Sequence, residues 1–264
     1  MLLAIIVCSL SGAASQSMGQ VEATSSKAAR MEALRNIPFN EFTRDASAKL
    51  TPVLDRPSIY RRLPVETIEC DPDLHVFLVR YPEVIVGIWQ MMGITKVSSE
   101  RVGDFVLKAS DGEGTVSNVE LVYGTPGLYI YYAEGTYDGP LFHNKINGRC
   151  VLVLRSEYGV DTKGNPVVRN QLDTFVKIDN LAANLVAKTF SPIFSNAADH
   201  NFVETSRFLS RINEAAAKNS YGVKAMADQM ENVSPEVKDK FGRIATVVED
   251  RADHRLRTTV TARN

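Results

Sequence analysis

Cys70 and His75 have the residue types and the spacing of a reactive pair. They are five residues apart, across a predicted turn into a helix, and an imidazole beside a thiol can activate a cysteine nucleophile. A working pair also needs a third group that orients the imidazole, and no such group stands out in the sequence. We therefore interpret His75 as a hydrogen-bonded or exposed side chain, assign Cys70 no reactive role, and predict no catalytic residue.

Metal-binding residue types are present but do not form a recognisable site. The four histidines are scattered along the chain: His75, His143, His200 and His254. None has a partner at the spacing of a helical zinc pair. Asp71 with Asp73, and Asp161 with Asn165, offer the oxygen atoms that calcium prefers, but neither set fills an EF-hand pattern and turn formation explains both. We predict no metal and no cofactor.

Five tyrosines lie within fifteen residues of a predicted strand region: Tyr123, Tyr129, Tyr131, Tyr132 and Tyr137. On a strand, Tyr129 and Tyr131 share one face, whereas Ile130 and Tyr132 share the other. One face could line a cavity in which the hydroxyl groups orient a ligand. Strand propensity and core packing explain the same pattern, and the sequence leaves both readings open.

The elements that position these side chains include a short apolar helix. Pro82 and Glu83 suit its first turn, and Gly93 suits its end. About 11 residues of helix span about 16 Å, which is too short to cross a bilayer. Because this helix is apolar nearly all round, we predict that it is buried in the core together with Trp89, the only tryptophan.

Strands precede and follow this helix. From residue 96 to residue 179, polar and apolar residues alternate between frequent turns, a pattern typical of strands. The predicted strands cover residues 65–70, 104–109, 116–123, 128–137, 149–158 and 167–178. Asp71 and Pro72 suit the start of a short helix after the first strand. Because most strands follow one another instead of alternating with helices, we predict an antiparallel sheet.

The last part of the chain is predicted to be helical. Residues 196–218 form a long helix in which Phe202 and Leu209 lie about two turns apart on one apolar stripe. Ser234 and Pro235 suit the start of a final helix. The arginine-rich end, from residue 251 onward, is predicted to fray.

Composition limits the class of function. The chain has 264 residues, is 44% hydrophobic and carries a net charge of -1, which is typical of a globular protein and disfavours nucleic acid binding. Residues 1–15 combine an apolar run with small residues, which predicts a signal peptide and export; a buried strand or helix is the alternative. We predict no transmembrane span in the mature chain. Cys70 and Cys150 would remain, as one disulfide or as two separate thiols.

The stretch VETIECDPDLHVFLVRYPEVIVGIW, followed by strands and a long helix, resembles the helix-grip superfamily. This superfamily includes START lipid-transfer domains, polyketide-cyclase-like proteins and pollen-allergen-like proteins. The resemblance covers residues 63–220 and implies a curved sheet that grips a long helix, usually around an apolar cavity. The chain departs from it by the extra material at both ends and by Pro192, which is predicted to break the chain before the long helix.

These observations predict an α+β fold, with a curved antiparallel sheet gripping a long C-terminal helix and extra helical segments at both ends. The predicted parts are a signal peptide at 1–15, a linker or wrapping arm at 16–62, a helix-grip-like domain at 63–220 and a helical C-terminal extension at 221–264. Three functions are compatible with this organisation.

The first function is that of an exported, secreted or periplasmic, non-catalytic binding domain for a hydrophobic or amphipathic small molecule, such as a lipid-like compound. The residues predicted to line its site are Trp89, Tyr129, Tyr131, Phe202 and Leu209. The second is that of a structural or partner-binding protein whose core is filled by its own side chains. The third is that of a cyclase- or hydratase-like enzyme, which lacks a recognisable acid–base pair and is the least supported.

Overall fold

The computed structural model describes residues 22–140, 145–179 and 191–261. The predicted signal peptide lies outside these ranges, and so does His143. The helices are α1 (Lys27–Arg35), α2 (Arg44–Asp55), α3 (Pro72–Arg80), α4 (Pro82–Met91), α5 (Ser191–Lys218), α6 (Ser220–Asp228) and α7 (Pro235–Thr261). The strands are β1 (Ile59–Arg62), β2 (Glu66–Glu69), β3 (Ser98–Gly103), β4 (Val106–Ser110), β5 (Thr115–Thr125), β6 (Leu128–Tyr137), β7 (Ile146–Val160) and β8 (Pro166–Asp179).

The strands form one antiparallel sheet. Its order is β1-β8-β7-β6-β5-β4-β3, and β2 also pairs with β8. β8 therefore has two short partners along one edge, β1 opposite residues 173–176 and β2 opposite residues 167–170. The prediction of a curved antiparallel sheet with a long C-terminal helix is confirmed.

Helix α4 is the core helix that the sequence predicts. It begins at Pro82 and ends at Met91, and its residues 82–89 are all buried. Gly93 follows with a φ of 67°, a left-handed conformation that glycine adopts without strain. Trp89 is 3% exposed, as predicted for a residue of the core.

The two faces of the sheet carry two separate apolar layers. Tyr129 and Tyr131 belong to the inner layer, together with side chains of α3, α4, α5, α6 and α7. Ile130 and Tyr132 belong to the outer layer, which α1 and α2 cover. The predicted alternation of the tyrosines is therefore correct, and the molecule has three layers with the sheet in the middle.

The outer layer is built from residues 27–62, within the stretch predicted to be a linker or wrapping arm. Thr43 caps α2 by accepting a hydrogen bond from the N–H of Ala46, and Leu50 and Leu54 pack fully buried against the sheet. β1 extends the sheet from the same stretch. This arm therefore shields the outer sheet face from water.

The C-terminal helices differ from the expectations at two points. α5 begins at Ser191, so Pro192 lies in its first turn, where proline is tolerated, instead of breaking the chain before it. α7 begins at Pro235 as predicted, with Ser234 accepting a hydrogen bond from the N–H of Val237. The predicted fraying from residue 251 is wrong, because α7 continues to Thr261. No helix within the described ranges is long and apolar enough to cross a membrane.

Candidate functional site

The five residues predicted to line a ligand site lie together in the inner core. They are Trp89, Tyr129, Tyr131, Phe202 and Leu209, and all of them are buried in one apolar cluster. β6 supplies the tyrosines, α4 supplies the tryptophan and α5 supplies the other two. That these side chains line a ligand cavity stays a prediction.

Specific neighbours hold two of these side chains in place. The Trp89 ring packs against Phe208 of α5, with ring centroids 5.6 Å apart. The Tyr131 hydroxyl donates a hydrogen bond of 2.6 Å to the carbonyl oxygen of Val79, at the end of α3. Burial raises the pKa of Tyr131, so this hydroxyl stays protonated and joins the sheet to α3.

A row of polar side chains that was not predicted from the sequence crosses the inner face of the sheet. Glu66 of β2 lies opposite Asn170 of β8, which lies opposite Ser156 of β7. All three are buried, and the Ser156 hydroxyl donates a hydrogen bond of 2.7 Å to Asn170 Oδ1. Since residues directly opposite on antiparallel strands have Cβ atoms about 5 Å apart, the row places a carboxyl, an amide and a hydroxyl side by side.

His75 of α3 lies next to this row and is fully buried. Its Nδ1 is 3.1 Å from the Tyr158 hydroxyl oxygen, and that hydroxyl donates to the carbonyl oxygen of Pro126 at 2.8 Å. Because the tyrosine proton is used in this way, its oxygen accepts from Nδ1–H. The neutral ring therefore carries its proton on Nδ1 and presents the lone pair of Nε2.

Burial sets the protonation states of the two titratable groups in this region. It lowers the pKa of His75 from 6.5 to about 4, although the neighbouring Asn170 side chain opposes part of this shift. It raises the pKa of Glu66 from 4.5 to about 6, against the opposing effect of Arg207. At neutral pH the imidazole is thus uncharged, while the carboxyl group is close to its titration range.

Several buried polar atoms in this region have no partner at normal hydrogen-bond geometry among the described residues, although the Asn170 side chain lies close enough to His75 to affect its pKa. They are His75 Nε2, Glu66 Oε1 and Asn170 Nδ2, and on α5 both polar atoms of the Asn201 amide and the hydroxyl of Ser206. An unbonded polar group in an apolar interior costs about 1–3 kcal/mol. The inner layer therefore offers both unused acceptors and unused donors inside an apolar core.

The row could have been found from strand periodicity. Leu152 and Leu154, with Ser156 and Tyr158, occupy alternate positions of β7 and face the inner core. The sequence thus places polar residues at positions where an inward-facing leucine would be expected. The pairing of Glu66 with Asn170 has no such local signal.

Cys70 and Cys150, the cysteines within the described ranges, are separate buried thiols. Burial raises the pKa of Cys70, and raises that of Cys150 to about 12, so both stay protonated. A reactive cysteine pair needs a thiolate beside an imidazolium, whereas burial here favours a neutral thiol and a neutral imidazole. Among the described residues, no three His, Cys, Asp or Glu side chains are grouped closely enough to hold a metal ion.

No family model and no curated protein matches the chain. Solved structures with a similar fold include a conserved protein from Geobacillus kaustophilus, which is 9% identical over 54% of this chain and 92% of its own, with a TM-score of 0.36. Ara h 8.0201 is 12% identical over 55% of this chain and 97% of its own, with a TM-score of 0.29. The di-domain ARO/CYC BexL, from the BE-7585A biosynthetic pathway, is 12% identical over 70% of this chain and 54% of its own, with a TM-score of 0.27. These likenesses concern the fold and carry no argument about function.

Proposed function

We propose that this protein binds a hydrophobic or amphipathic small molecule, without catalysis, between the inner face of the sheet and α5. The observation that supports the proposal is the group of unbonded polar atoms, His75 Nε2, Asn170 Nδ2 and Glu66 Oε1, within an apolar inner layer. A ligand whose apolar body packs against this layer and whose polar end bonds these atoms removes their desolvation cost.

The polar atoms also indicate what the polar end of the ligand should be. His75 Nε2 and an ionised Glu66 accept hydrogen bonds, whereas Asn170 Nδ2 donates them. A hydroxyl group can both donate and accept. A carboxylate can only accept, and it would bring a second negative charge close to Glu66 in a buried place. The ligand is therefore expected to end in a neutral hydroxyl or amide.

Displacement of an apolar dye tests this proposal. We expect the native protein to bind an environment-sensitive dye saturably, with about one dye per chain. Dodecanol should displace the dye at lower concentrations than dodecanoate does at pH 7. Replacing Glu66 by Gln should reduce this preference for the alcohol, because the negative charge that disfavours the carboxylate is lost. Absence of saturable binding would favour the structural alternative, in which the protein's own side chains fill the core.

A matched pair of variants locates the dye. Ala216 lies buried on the inner side of α5, so Ala216→Phe should lower dye binding by filling the space between helix and sheet. Ala28 is exposed on α1 in the outer layer, so Ala28→Phe adds the same bulk elsewhere and should leave binding unchanged. Equal dye binding by both variants would place the dye outside the inner site.

Glu66 provides one specific observation for the enzyme alternative. A buried carboxyl group with a pKa of about 6 is suited to general acid–base catalysis near neutral pH. Incubation with trans-2-dodecenal, an apolar molecule that can add water, distinguishes non-catalytic binding from hydratase activity. Under the binding proposal the aldehyde is recovered unchanged. A hydrated product that the native protein forms and the Glu66→Gln variant does not would favour a hydratase.

We also propose that the protein is exported before it binds its ligand. The support is the composition of residues 1–15, an apolar run followed by small residues. An exported binder would meet its ligand outside the cytoplasm. The mass of the mature chain tests this part of the proposal separately from ligand binding.

A further inference from the structure

Three cationic side chains surround one aromatic ring where α3 meets α4. The Cζ atoms of Arg80 and Arg101 lie 5.3 Å and 5.1 Å from the centroid of the Tyr81 ring, and Lys240 Nζ lies 5.0 Å from it. Arg80 Nη2 and Arg101 Nη1 also donate to the same acceptor, the carbonyl oxygen of Asp104, at 2.6 Å and 2.9 Å. The two guanidinium groups therefore lie close together, and the ammonium group of Lys240 lies beside the same ring.

The negative charge near these groups does not balance them. Glu83 is buried and binds Arg101 through both carboxylate oxygens, at 2.6 Å and 2.8 Å. Within the described part of the chain, neither Arg80 nor Lys240 forms an ion pair with a carboxylate, although Asp104 and Asp239 are close in sequence. Two of the three cations around Tyr81 thus have no carboxylate in ion-pair contact within the described part of the chain.

The cost of holding these like charges together is only partly offset within the protein. Each cation gains a modest attraction from the face of the aromatic ring at an exposed site. The like charges repel one another. An anion bound between them would be attracted to each cation, and these attractions would offset the repulsion. The planar guanidinium group of Arg80 suits the oxygen atoms of a phosphate group, and Lys240 adds a mobile point charge. Arg101 is held by Glu83 and contributes mainly through its position beside the ring.

We propose that Arg80, Arg101 and Lys240, arranged around the Tyr81 ring, form a surface binding site for a phosphate group. This site is separate from the inner polar row and does not depend on the proposed ligand binding. Next to it, Phe105 is 53% exposed, and the Arg80 guanidinium lies 4.3 Å from its ring centroid. The exposed aromatic ring favours a phosphate carried by an amphipathic molecule, such as a phospholipid headgroup, over free phosphate.

Binding to inorganic phosphate and to vesicles distinguishes the two sources. We expect the native protein to co-sediment with vesicles of phosphatidylcholine and phosphatidylglycerol, and not with phosphatidylcholine alone. Calorimetric titration with inorganic phosphate forms the second arm. Saturable phosphate binding without vesicle binding supports the site and assigns it to a free phosphate compound. Binding in neither arm overturns the proposal.

A pair of double variants shows whether vesicle binding depends on this site or only on the net charge of the protein. Arg80→Gln with Lys240→Gln should weaken vesicle binding about 30-fold, since each cation near an anionic surface contributes about a factor of five. Arg101 stays unchanged because it neutralises the buried Glu83. Lys27→Gln with Lys163→Gln removes two exposed charges outside the cluster and should leave binding nearly unchanged.

The wavelength of Trp89 emission reports that both variants keep the native core. An equal loss of binding in the two double variants would overturn the proposal, because it would show a response to net charge alone. Retained binding in the Arg80 and Lys240 variant would overturn it as well.

Discussion

Asp71 Oδ2 and Arg251 Nη1 lie 2.9 Å apart, although 180 residues separate them in the chain. The same carboxylate caps α3 by accepting from the N–H of Asp73 at 2.9 Å, and Arg251 also reaches Asp73 at 2.8 Å. In addition, the N–H of Asp71 donates to Asn213 Oδ1 of α5. The start of α3 is thus the point where three helices of the inner layer are joined.

Removing the capping carboxylate should destabilise the protein more than removing its exposed neighbour. We expect Asp71→Ala to lower the free energy of unfolding by about 1–3 kcal/mol, from the lost cap and the lost ion pair. Asp73→Ala, which removes a mostly exposed partner of the same arginine, should cost about 1 kcal/mol or less. Urea unfolding measures both; equal losses would contradict the role given to Asp71.

The buried His75 should make stability depend on pH. Its pKa is about 4 in the folded chain and 6.5 when exposed, so the unfolded state binds a proton that the folded state does not. Stability is therefore complete above pH 6.5 and falls as the pH drops toward 4, by up to about 3 kcal/mol. His75→Gln should remove this part of the pH dependence of urea unfolding.

Glu66 affects the pH dependence of stability in the opposite direction to His75, over part of the same pH range. Its pKa is raised from 4.5 to about 6, so the folded chain holds the proton more tightly. The stabilisation from this group is present below pH 4.5 and is lost as the pH rises through 6. Glu66→Gln should therefore steepen the loss of stability on acidification, whereas His75→Gln should flatten it. The same change in both variants would contradict these assignments.

Trp89 should report a buried indole in fluorescence. We expect blue-shifted emission from the native protein and a loss of about 3–5 kcal/mol in the free energy of unfolding for Trp89→Ala. Leu209→Ala, in the same layer, should cost about 2–5 kcal/mol. Fluorescence and thermal unfolding check these values, and red, fully quenchable emission from the native protein would contradict the burial of Trp89.

Asp173 should be essential to the attachment of the N-terminal arm. Its buried carboxylate accepts from the Tyr60 hydroxyl at 2.6 Å, from Arg62 Nε at 2.8 Å and from Arg155 Nη1 at 2.6 Å. Asp173→Asn removes the buried anion that Arg62 and Arg155 share and should cost about 3–5 kcal/mol. Glu32→Gln, at the exposed partner of Arg62, should cost less than about 1 kcal/mol. Similar unfolding midpoints for the two variants would show that the buried network is not what stabilises the outer layer.

The export proposal predicts a mature chain that begins near residues 15–17. Expression in a secreting host, followed by measurement of the intact mass, determines where the chain starts. A soluble cytoplasmic product that retains residues 1–14 would contradict export. This outcome would leave the ligand-binding and phosphate-binding proposals unaffected.

Features that depend on neighbours in sequence were predictable. Pro82 and Gly93 set the limits of α4, and Ser234 with Pro235 marked the start of α7. The alternation of Tyr129 with Ile130 followed from strand geometry alone. Caps, turns and periodicity arise from steric limits and hydrogen bonds between residues close in the chain, so a short stretch is enough to specify them.

Features that join segments distant in the sequence could not be predicted from it and are decided by the tertiary structure. The polar row requires β2 to pair with β8 so that Glu66 lies opposite Asn170, and a shift of one residue would turn each side chain to the other face. Likewise, Arg251 meets Asp71 only once α7 packs beside α3, and this contact ties the second half of α7 to the start of α3. Such pairings are chosen by the burial of whole apolar faces against one another, and no local stretch contains that information.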